Sequence, residues 1–443
     1  MANTYFWFRR DLRLIDNAGL YYALKENRDV QCIFIFDKCI LDKLPAKDDP
    51  RVEFIHSIIT KMKAELVKMG ADLQVYYGDP AEVWKQILDK SPAKAIYCNR
   101  DYEGYGQDRD QTVQNLIEAK GGTFHDYKDQ VIFEMDEVVK KDGLPYTVFT
   151  PYKRRWLSAL ESDANYADSY YFSSYPVEKY YSNLSKSSPS EDISLGSMGF
   201  RPSEIEIPST EVPQGLIKSY DKNRNFPAIQ GTSKLGIHFR FGTISIREKA
   251  RKASLLNDTY LSELVWRDFY SQILYHFPHV ATNAFRSKYE MVEWRNDESD
   301  FEKWCQGKTG YPIVDAGMRE LNTTGWMHNR VRMITASFLT KHLLIDWRWG
   351  EQYFADKLLD FDLASNNGGW QWAAGCGTDA APYFRIFNPH TQLDKFDRQR
   401  KYVKQYVPEY DTDDYPTFMV DHKEARERCL ATYKAGLDNA TRE

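Results

Sequence analysis

Six cysteines in 443 residues (Cys32, Cys39, Cys98, Cys305, Cys376, Cys429) form no CxxC pair and have no histidine at zinc-ligand spacing. That scatter excludes a disulfide scaffold and a zinc module, and leaves reduced, mostly buried thiols. No metal site is expected. No apolar run reaches the roughly 18 residues of a membrane span. The first apolar segment, MANTYFWFRRDLRL, is broken by Arg9, Arg10, Asp11 and Arg13, so it lacks the continuous core of a secretory signal. A soluble, cytoplasmic chain with no membrane partner is expected. The P-loop, HExxH and GxSxG signatures are also missing. No GxGxxG follows the first apolar segment, so a dinucleotide site of the usual kind is not supported there.

Aromatic residues, by contrast, are abundant at 15%, with 11 Trp and 30 Tyr. A large core uses some of them, and flat ligands or stacked bases are another use. The formal net charge of −5 argues against general affinity for nucleic acid. Locally the sign reverses: residues 218 to 252 hold nine Lys or Arg against Asp221 and Glu248, a net of +7. Residues 384 to 404 add Arg385, Lys395, Arg398, Arg400, Lys401 and Lys404 against Asp394 and Asp397. Charge alone fits a solvated face equally well, and interleaved aromatics shift the reading toward phosphate binding.

Three regions follow from the patterning. Residues 1–130 alternate apolar runs (TYFWF, CIFIF, LQVYY, AIYC) with amphipathic segments, the rhythm of an α/β domain with a parallel, Rossmann-like sheet. Between them, Ile55, Ile58, Ile59, Met62, Leu66 and Met69 share one helical face, with Gly70 as a stop. Residues 131–207 loosen into a Ser-, Pro- and Tyr-rich stretch that reads as a long linker. Residues 208–443 carry long helical patterns, so an all-α domain is expected there, with no internal repeat.

The helical part concentrates Trp and Asn in WMHNRVRM from Trp326 and DFDLASNNGGWQW from Asp360. Together with WFRRDLRL at Trp7, GLPYTVFTPYKRRW at Gly143, GTSKLGIHFRFG at Gly231, ELVWRDFY at Glu263 and GKTGYPIVDAGMR at Gly307, these segments resemble the photolyase and cryptochrome family. Order and spacing match over nearly the whole chain. The resemblance implies an α/β domain, a linker, and a helical domain holding bent FAD beneath a DNA-facing cavity. Within the family it points to a class I photolyase that splits cyclobutane pyrimidine dimers in UV-damaged DNA, acting as a monomer.

Residue by residue, the resemblance assigns Tyr220, Thr232, Ser233, Lys234, Leu235 and Gly236 to the FAD phosphates. Gly236 stands where the family usually has Ser, which removes a side-chain donor and keeps the backbone one. By themselves, Thr and Ser before a helix are an ordinary N-cap. Asn366 matches the residue facing flavin N5, and Asp360, Phe361 and Asp362 surround the ring and ribityl groups, with Arg332 pairing one acid. Glu263, Trp266, Asn329, Met333 and Trp372 match the pocket for a flipped dimer, with Glu263, Asn329, Met333 and Asn366 as the catalytic set. Burial of Glu263 would raise its pKa and favour a donating carboxyl. Arg224, Arg267, Arg330 and Gln392 match DNA-backbone positions. Trp294, Trp347 and Trp370 match the electron-transfer chain, although each alone is an ordinary core residue.

Enzymes acting on (6-4) photoproducts resemble a His-His arrangement where this chain has Asn329 and Met333, so cyclobutane dimers are favoured. An antenna chromophore, folate or deazaflavin, is expected at the sheet domain. CNRDYEGYGQDRD at Cys98 departs from the folate pattern at Tyr105 and Gly106. The alternative function is a cryptochrome-type blue-light receptor without repair activity. The full dimer pocket and an end at Glu443, soon after the helical domain, favour the enzyme.

Overall fold

In the computed structural model of the chain, which describes residues 3–160 and 166–440, the N-terminal apolar runs become parallel strands. β1 (Asn3–Phe8), β2 (Val30–Asp37), β3 (Leu73–Gly78), β4 (Ala93–Asn99) and β5 (Thr123–Tyr127) lie in the order β3-β2-β1-β4-β5. Each neighbouring pair is parallel. β1 and β2 are buried at most positions, as strands covered on both faces must be. β5 has no apolar run in the sequence: TFHDY is an edge strand, half-buried or exposed throughout.

The crossover helices are α1 (Ala18–Glu26), α2 (Pro50–Lys68), α3 (Pro80–Lys90) and α4 (Gly104–Glu118). α2 begins where the Asp49 carboxylate accepts from the Arg51 N–H, with Pro50 in the first turn. It ends before Gly70, whose φ of +74° closes the helix as expected. Of its predicted apolar face, Ile59, Met62 and Leu66 are buried, while Ile55, Ile58 and Met69 pack at the margin of the core. Lys63 is buried beside them because Asp72 sits 2.9 Å from its Nζ.

Contacts divide the chain into two compact units. The sheet unit runs through Glu134 and includes Leu160–Thr210 and Leu235–Leu255. The helical unit comprises Met135–Ala159, Glu211–Lys234 and Leu256–Glu443. The stretch 131–207 is therefore shared. It contains a helix, α5 (Phe149–Ala159), in the helical unit. Farther on, Val177, Leu184, Met198 and Phe200 fill the sheet unit's core. Short 3₁₀ turns carry that second part, which explains its lack of periodicity.

What ties Leu235–Leu255 to the sheet is a buried ionic network. Asp129 accepts from Arg13 Nη2 at 2.7 and 2.8 Å and from Arg247 Nη2 at 2.8 Å. Arg247 also donates through Nε to Asp16 at 2.9 Å, and Ser245 hydrogen-bonds the same carboxylate. Arg247 is thus buried in this network and does not belong to the exposed basic run that the sequence left open between a solvated face and phosphate binding. Arg240 pairs with Glu103 and Lys252 with Glu248, so three of the five basic residues from Arg240 to Lys252 are held in ion pairs.

The helical unit is built on Trp304, Tyr311, Phe338, Leu339, Leu343, Trp347 and Trp370. Around the region of interest lie α6 (Asp258–His276), α7 (Asn329–Ser337), α8 (Trp347–Lys357), α9 (Leu363–Ala374) and α10 (Pro389–Phe396). Side chains cap all five: Asn257, His328, Asp346, Asp362 and Asn388 each accept from first-turn N–H groups. Among the described residues, no helix is long and apolar enough to cross a membrane.

The network makes a stability prediction. The two arginines hold Asp129 below the ordinary carboxylate range against its burial. Its contribution is therefore complete above the unfolded carboxylate pKa and is lost as pH falls through the lower folded value. Asp129→Ala takes the carboxylate from Arg13, leaves Arg247 with Asp16 alone, and so strands one buried positive charge, which should cost about 3–5 kcal/mol. Denaturant unfolding at neutral pH checks this, and the difference between variant and parent should shrink in acid.

Candidate active site

Three helices of the helical unit turn the same spacing toward one cavity. α6 supplies Glu263, Trp266, Arg267 and Tyr270; α7 supplies Asn329, Arg332, Met333 and Ala336; α9 contributes Ser365, Asn366 and Gly369 after its cap Asp362. Each set is an i, i+3, i+4, i+7 face. The cavity holds about 430 Å³, a size suited to a cofactor or small ligand. Phe354, Leu358, Asp360, Phe361, Trp370, Trp372 and Arg224 complete its wall. Most of the residues assigned from sequence therefore converge. Tyr270, Ala336, Phe354, Leu358, Ser365 and Gly369 were missed, since nothing in their type distinguishes them from core or surface residues.

One group of these side chains is set for recognition by stacking and hydrogen bonding. Trp266 lies flat on Phe149 of α5, with centroids 3.6 Å apart and planes 6° from parallel, so its orientation is fixed from behind. Glu263 pairs with Arg224. Burial raises the Glu263 pKa, and the Arg224 charge opposes the shift. Arg330 does not line the cavity; it donates to Asn225 at 2.7 Å and covers the Phe396 ring. His328 is buried, with its pKa pushed down to about 4 by burial and by Arg332, Arg330 and Lys234. Its Nδ1 caps α7 by accepting from the Arg330 N–H, so it serves as a neutral cap.

A second group fits a flavin. Arg332 donates to Asp360 at 2.9 and 3.1 Å and to the Met327 carbonyl at 2.7 Å, which holds both charges in place. Asp362 accepts from the Ser365 N–H as the cap of α9. Asn366 donates through Nδ2 to Glu351 Oε1 at 2.7 Å and to the Glu351 carbonyl at 3.1 Å. A Cβ at Gly369 would meet nothing within 4 Å, so the absent side chain leaves cavity wall open to a flat ring. Size, aromatic wall and this donor–acceptor set fit FAD: Arg332, Asp360, Asp362 and Asn366 would hold it, and it would supply light-driven electron transfer.

Several assigned residues lie elsewhere. Ser233 accepts from the Tyr260 hydroxyl at 3.0 Å, Tyr220 packs edge-on to Tyr260, and Lys234, at φ +52°, covers the Trp326 ring. Thr232 belongs with them in the helical unit, whereas Leu235 and Gly236 fall in the sheet unit. The helix there begins at Gly236 with Leu235 at its cap, and neither Thr232 nor Ser233 caps it. Of the three tryptophans assigned to electron transfer, only Trp370 lines the cavity; Trp347 is buried outside its wall, and Trp294 meets Tyr433 edge-on at 5.8 Å. Gln392 is half-buried on α10 and does not line the cavity.

A parallel α/β unit followed by a helical unit with a polar, aromatic-walled cofactor cavity defines a flavoenzyme of photolyase architecture. Comparison with known proteins agrees. Residues 4–168 match the DNA photolyase family model, and residues 260–413 match the FAD binding domain of DNA photolyase. A deoxyribodipyrimidine photo-lyase of Alkalihalophilus pseudofirmus is 35% identical over 97% of both chains. A bacterial class III photolyase from Agrobacterium tumefaciens superposes with a TM-score of 0.85 at 32% identity, covering 98% of each chain. An archaeal photolyase from Sulfolobus tokodaii, solved with two FAD molecules, gives 0.80 at 33% identity over 98% of this chain and 100% of that one. The chain belongs to the DNA photolyase family, FAD-dependent enzymes of DNA repair.

The packing behind the cavity is testable. A Cβ on Gly350 of α8 would lie 2.1 Å from Trp370 of α9. Gly350→Ala should therefore displace Trp370 and cost about 1–3 kcal/mol, read as a lower thermal midpoint with weaker FAD retention. Parental stability and retention would contradict this close packing.

Proposed function

We propose that the protein repairs cyclobutane pyrimidine dimers in DNA under blue or near-UV light. The observation that carries this reading is the presence of two chemistries in one cavity. Trp266, Trp372, Asn329, Met333 and Glu263 offer stacking faces and hydrogen bonds to a flipped dinucleotide, while Asn366, Asp360 and Arg332 offer polar contacts to a flavin. FAD, when bound, supplies the photoexcited electron.

The chain's own residues bind and orient. Trp266, backed by Phe149, and Trp372 stack against the pyrimidine rings. Asn329 hydrogen-bonds base edges without titrating. Glu263, its pKa raised by burial, retains a proton to higher pH than an exposed carboxyl and can donate it toward a dimer carbonyl on which negative charge grows. Met333 packs against the lesion with no group able to protonate an oxetane-like intermediate, which favours cyclobutane dimers over (6-4) photoproducts. Arg224 and Arg267 attract phosphates, and Arg330 braces the segment at Asn225. Because the repair electron returns, no net redox change results.

Trp370, Trp347 and Trp294 are proposed to pass electrons to oxidised FAD. We further propose a second, light-harvesting chromophore, a folate, a deazaflavin or a flavin; the Sulfolobus tokodaii relative carries a second FAD, for which its structure implies a light-harvesting role.

Loss of cyclobutane dimers from irradiated duplex DNA, with FAD fully reduced and light supplied, tests the main reading; no loss overturns it. Glu263→Ala should weaken dimer affinity about tenfold, from a lost charge-assisted hydrogen bond of roughly 1.5 kcal/mol, and lower the repair yield with FAD retained. Trp347→Phe should stop photoreduction of oxidised FAD and spare repair by chemically reduced enzyme. Unchanged photoreduction would remove Trp347 from the path.

A further inference from the structure

An indole that gives up one electron becomes a radical cation, so the charges lying against the ring set how readily it does so. Trp347, the first residue of α8, is buried, and the Arg348 guanidinium covers its ring at 4.7 Å from the centroid. Every nitrogen of that guanidinium is held. Nη2 donates to both Glu290 oxygens at 2.7 and 2.8 Å, Nη1 to both Asp346 oxygens at 3.1 and 3.2 Å, and Nε to the Thr282 carbonyl at 2.8 Å. Guanidinium N–H bonds lie in its plane, so the carboxylates occupy its rim and its face is left to the indole. Trp347 thus meets a positive charge first and negative charges beyond it.

The chain around Trp294 is sewn to the same place. The Arg295 N–H donates to the Leu344 carbonyl at 2.7 Å, and the Asp346 N–H donates to Asn296 Oδ1 at 2.8 Å. Asn296 and Leu344 hold this pairing with left-handed backbone, φ +50° and +51°, a conformation rare for a side chain as bulky as Leu. Trp294 itself is half-buried.

We propose that Arg348 and Glu290 set, with opposite sign, how long positive charge rests on Trp347, and that they direct it outward to Trp294. The proposal rests on the assignment of Trp370, Trp347 and Trp294 to the electron path. After Trp370 has given one electron to photoexcited FAD, one electron passes from Trp347 to the Trp370 radical cation. One electron from Trp294 then restores Trp347 and leaves the positive charge on Trp294; no proton moves. The first transfer requires Trp347 to be oxidisable, which the carboxylates favour. The second requires that it not trap the charge, which the guanidinium on its face ensures.

The test is flash photolysis of the holoenzyme with oxidised FAD, following decay of the charge-separated state. Each variant is compared with the same variant carrying Trp294→Phe, in which the charge stops at Trp347; the ratio of the two decay rates gives the fraction of charge on Trp347. Arg348→Gln should raise that fraction relative to Trp294 about tenfold, near 59 mV for a one-electron couple, and hasten decay. Arg348→Lys, which keeps the charge, should shift it less. Glu290→Gln, which removes a negative charge and keeps an acceptor for Arg348, should lower the fraction and slow decay. Loosened packing would move the Arg348 and Glu290 variants in one direction; opposite shifts require electrostatics. Equal or same-direction changes would overturn the proposal, and Arg348→Lys with Glu290→Gln decides it if Arg348→Gln fails to fold. A long-lived state that survives Trp294→Phe unchanged would instead remove Trp294 from the path.

Discussion

The architecture of the site depends on how closely α9 can approach its two neighbours, and two glycines set that distance. A Cβ at Gly368 would lie 2.2 Å from the Tyr270 ring of α6, and one at Gly350 would lie 2.1 Å from Trp370. At neither place is the glycine needed for an unusual backbone angle; both sit in ordinary helix, and the requirement is contact between helices. With α6 and α8 drawn onto α9 in this way, Trp266, Asn366 and the tryptophan pair of WQW come to line one space. The third glycine of the group, Gly369, faces the cavity and leaves room for a ring.

Close approach creates a second requirement. Helices whose inward stripe is polar cannot be held together through that stripe, so the opposite faces must supply the cohesion. On α9 those faces are small or amide-bearing: Asn367 donates to the Val280 carbonyl at 2.8 Å, and Gln371 donates to Val280 and Asn283. At its C-terminus the buried Lys341 and the Tyr433 hydroxyl both donate to the Ala374 carbonyl, at 2.6 and 2.9 Å. Burial pushes the Lys341 pKa down to about 8. A cation at a helix C-terminus is electrostatically favourable and satisfies an otherwise orphaned carbonyl. The polar wall is thus backed by a second polar layer, each member of which is hydrogen-bonded.

This explains which parts were legible in the sequence. The sheet was readable because TYFWF and CIFIF are apolar throughout, and α2 because its face repeats with helical period and ends at Gly70. β5 was not, since an edge strand needs no such run. The site residues on α6, α7 and α9 were found through their resemblance to family motifs; their common i, i+3, i+4, i+7 spacing carries no hydrophobic signal that would set it apart from a solvated face. Phe149 and Glu351 escaped notice for a different reason: each acts through one contact, to Trp266 and to Asn366, and a pairwise contact across 117 or 15 positions leaves no local pattern. Arg247 shows the reverse error, a residue that charge counting placed on a basic face and that packing buried against Asp16 and Asp129.

The same reasoning separates two kinds of buried charge in this chain. Arg13, Arg247, Asp16 and Asp129 balance two positive charges with two negative ones inside a unit and serve cohesion; removing one member leaves a buried charge of the opposite sign uncompensated. Glu263 and Arg224 also pair, but at the wall of a cavity, where a ligand can compete for either partner. A pair that a substrate can rearrange is of little use as a structural clamp. Both groups are only partly buried and hold each other in a fixed orientation at the cavity wall, which lowers the ordering cost of any group that binds there.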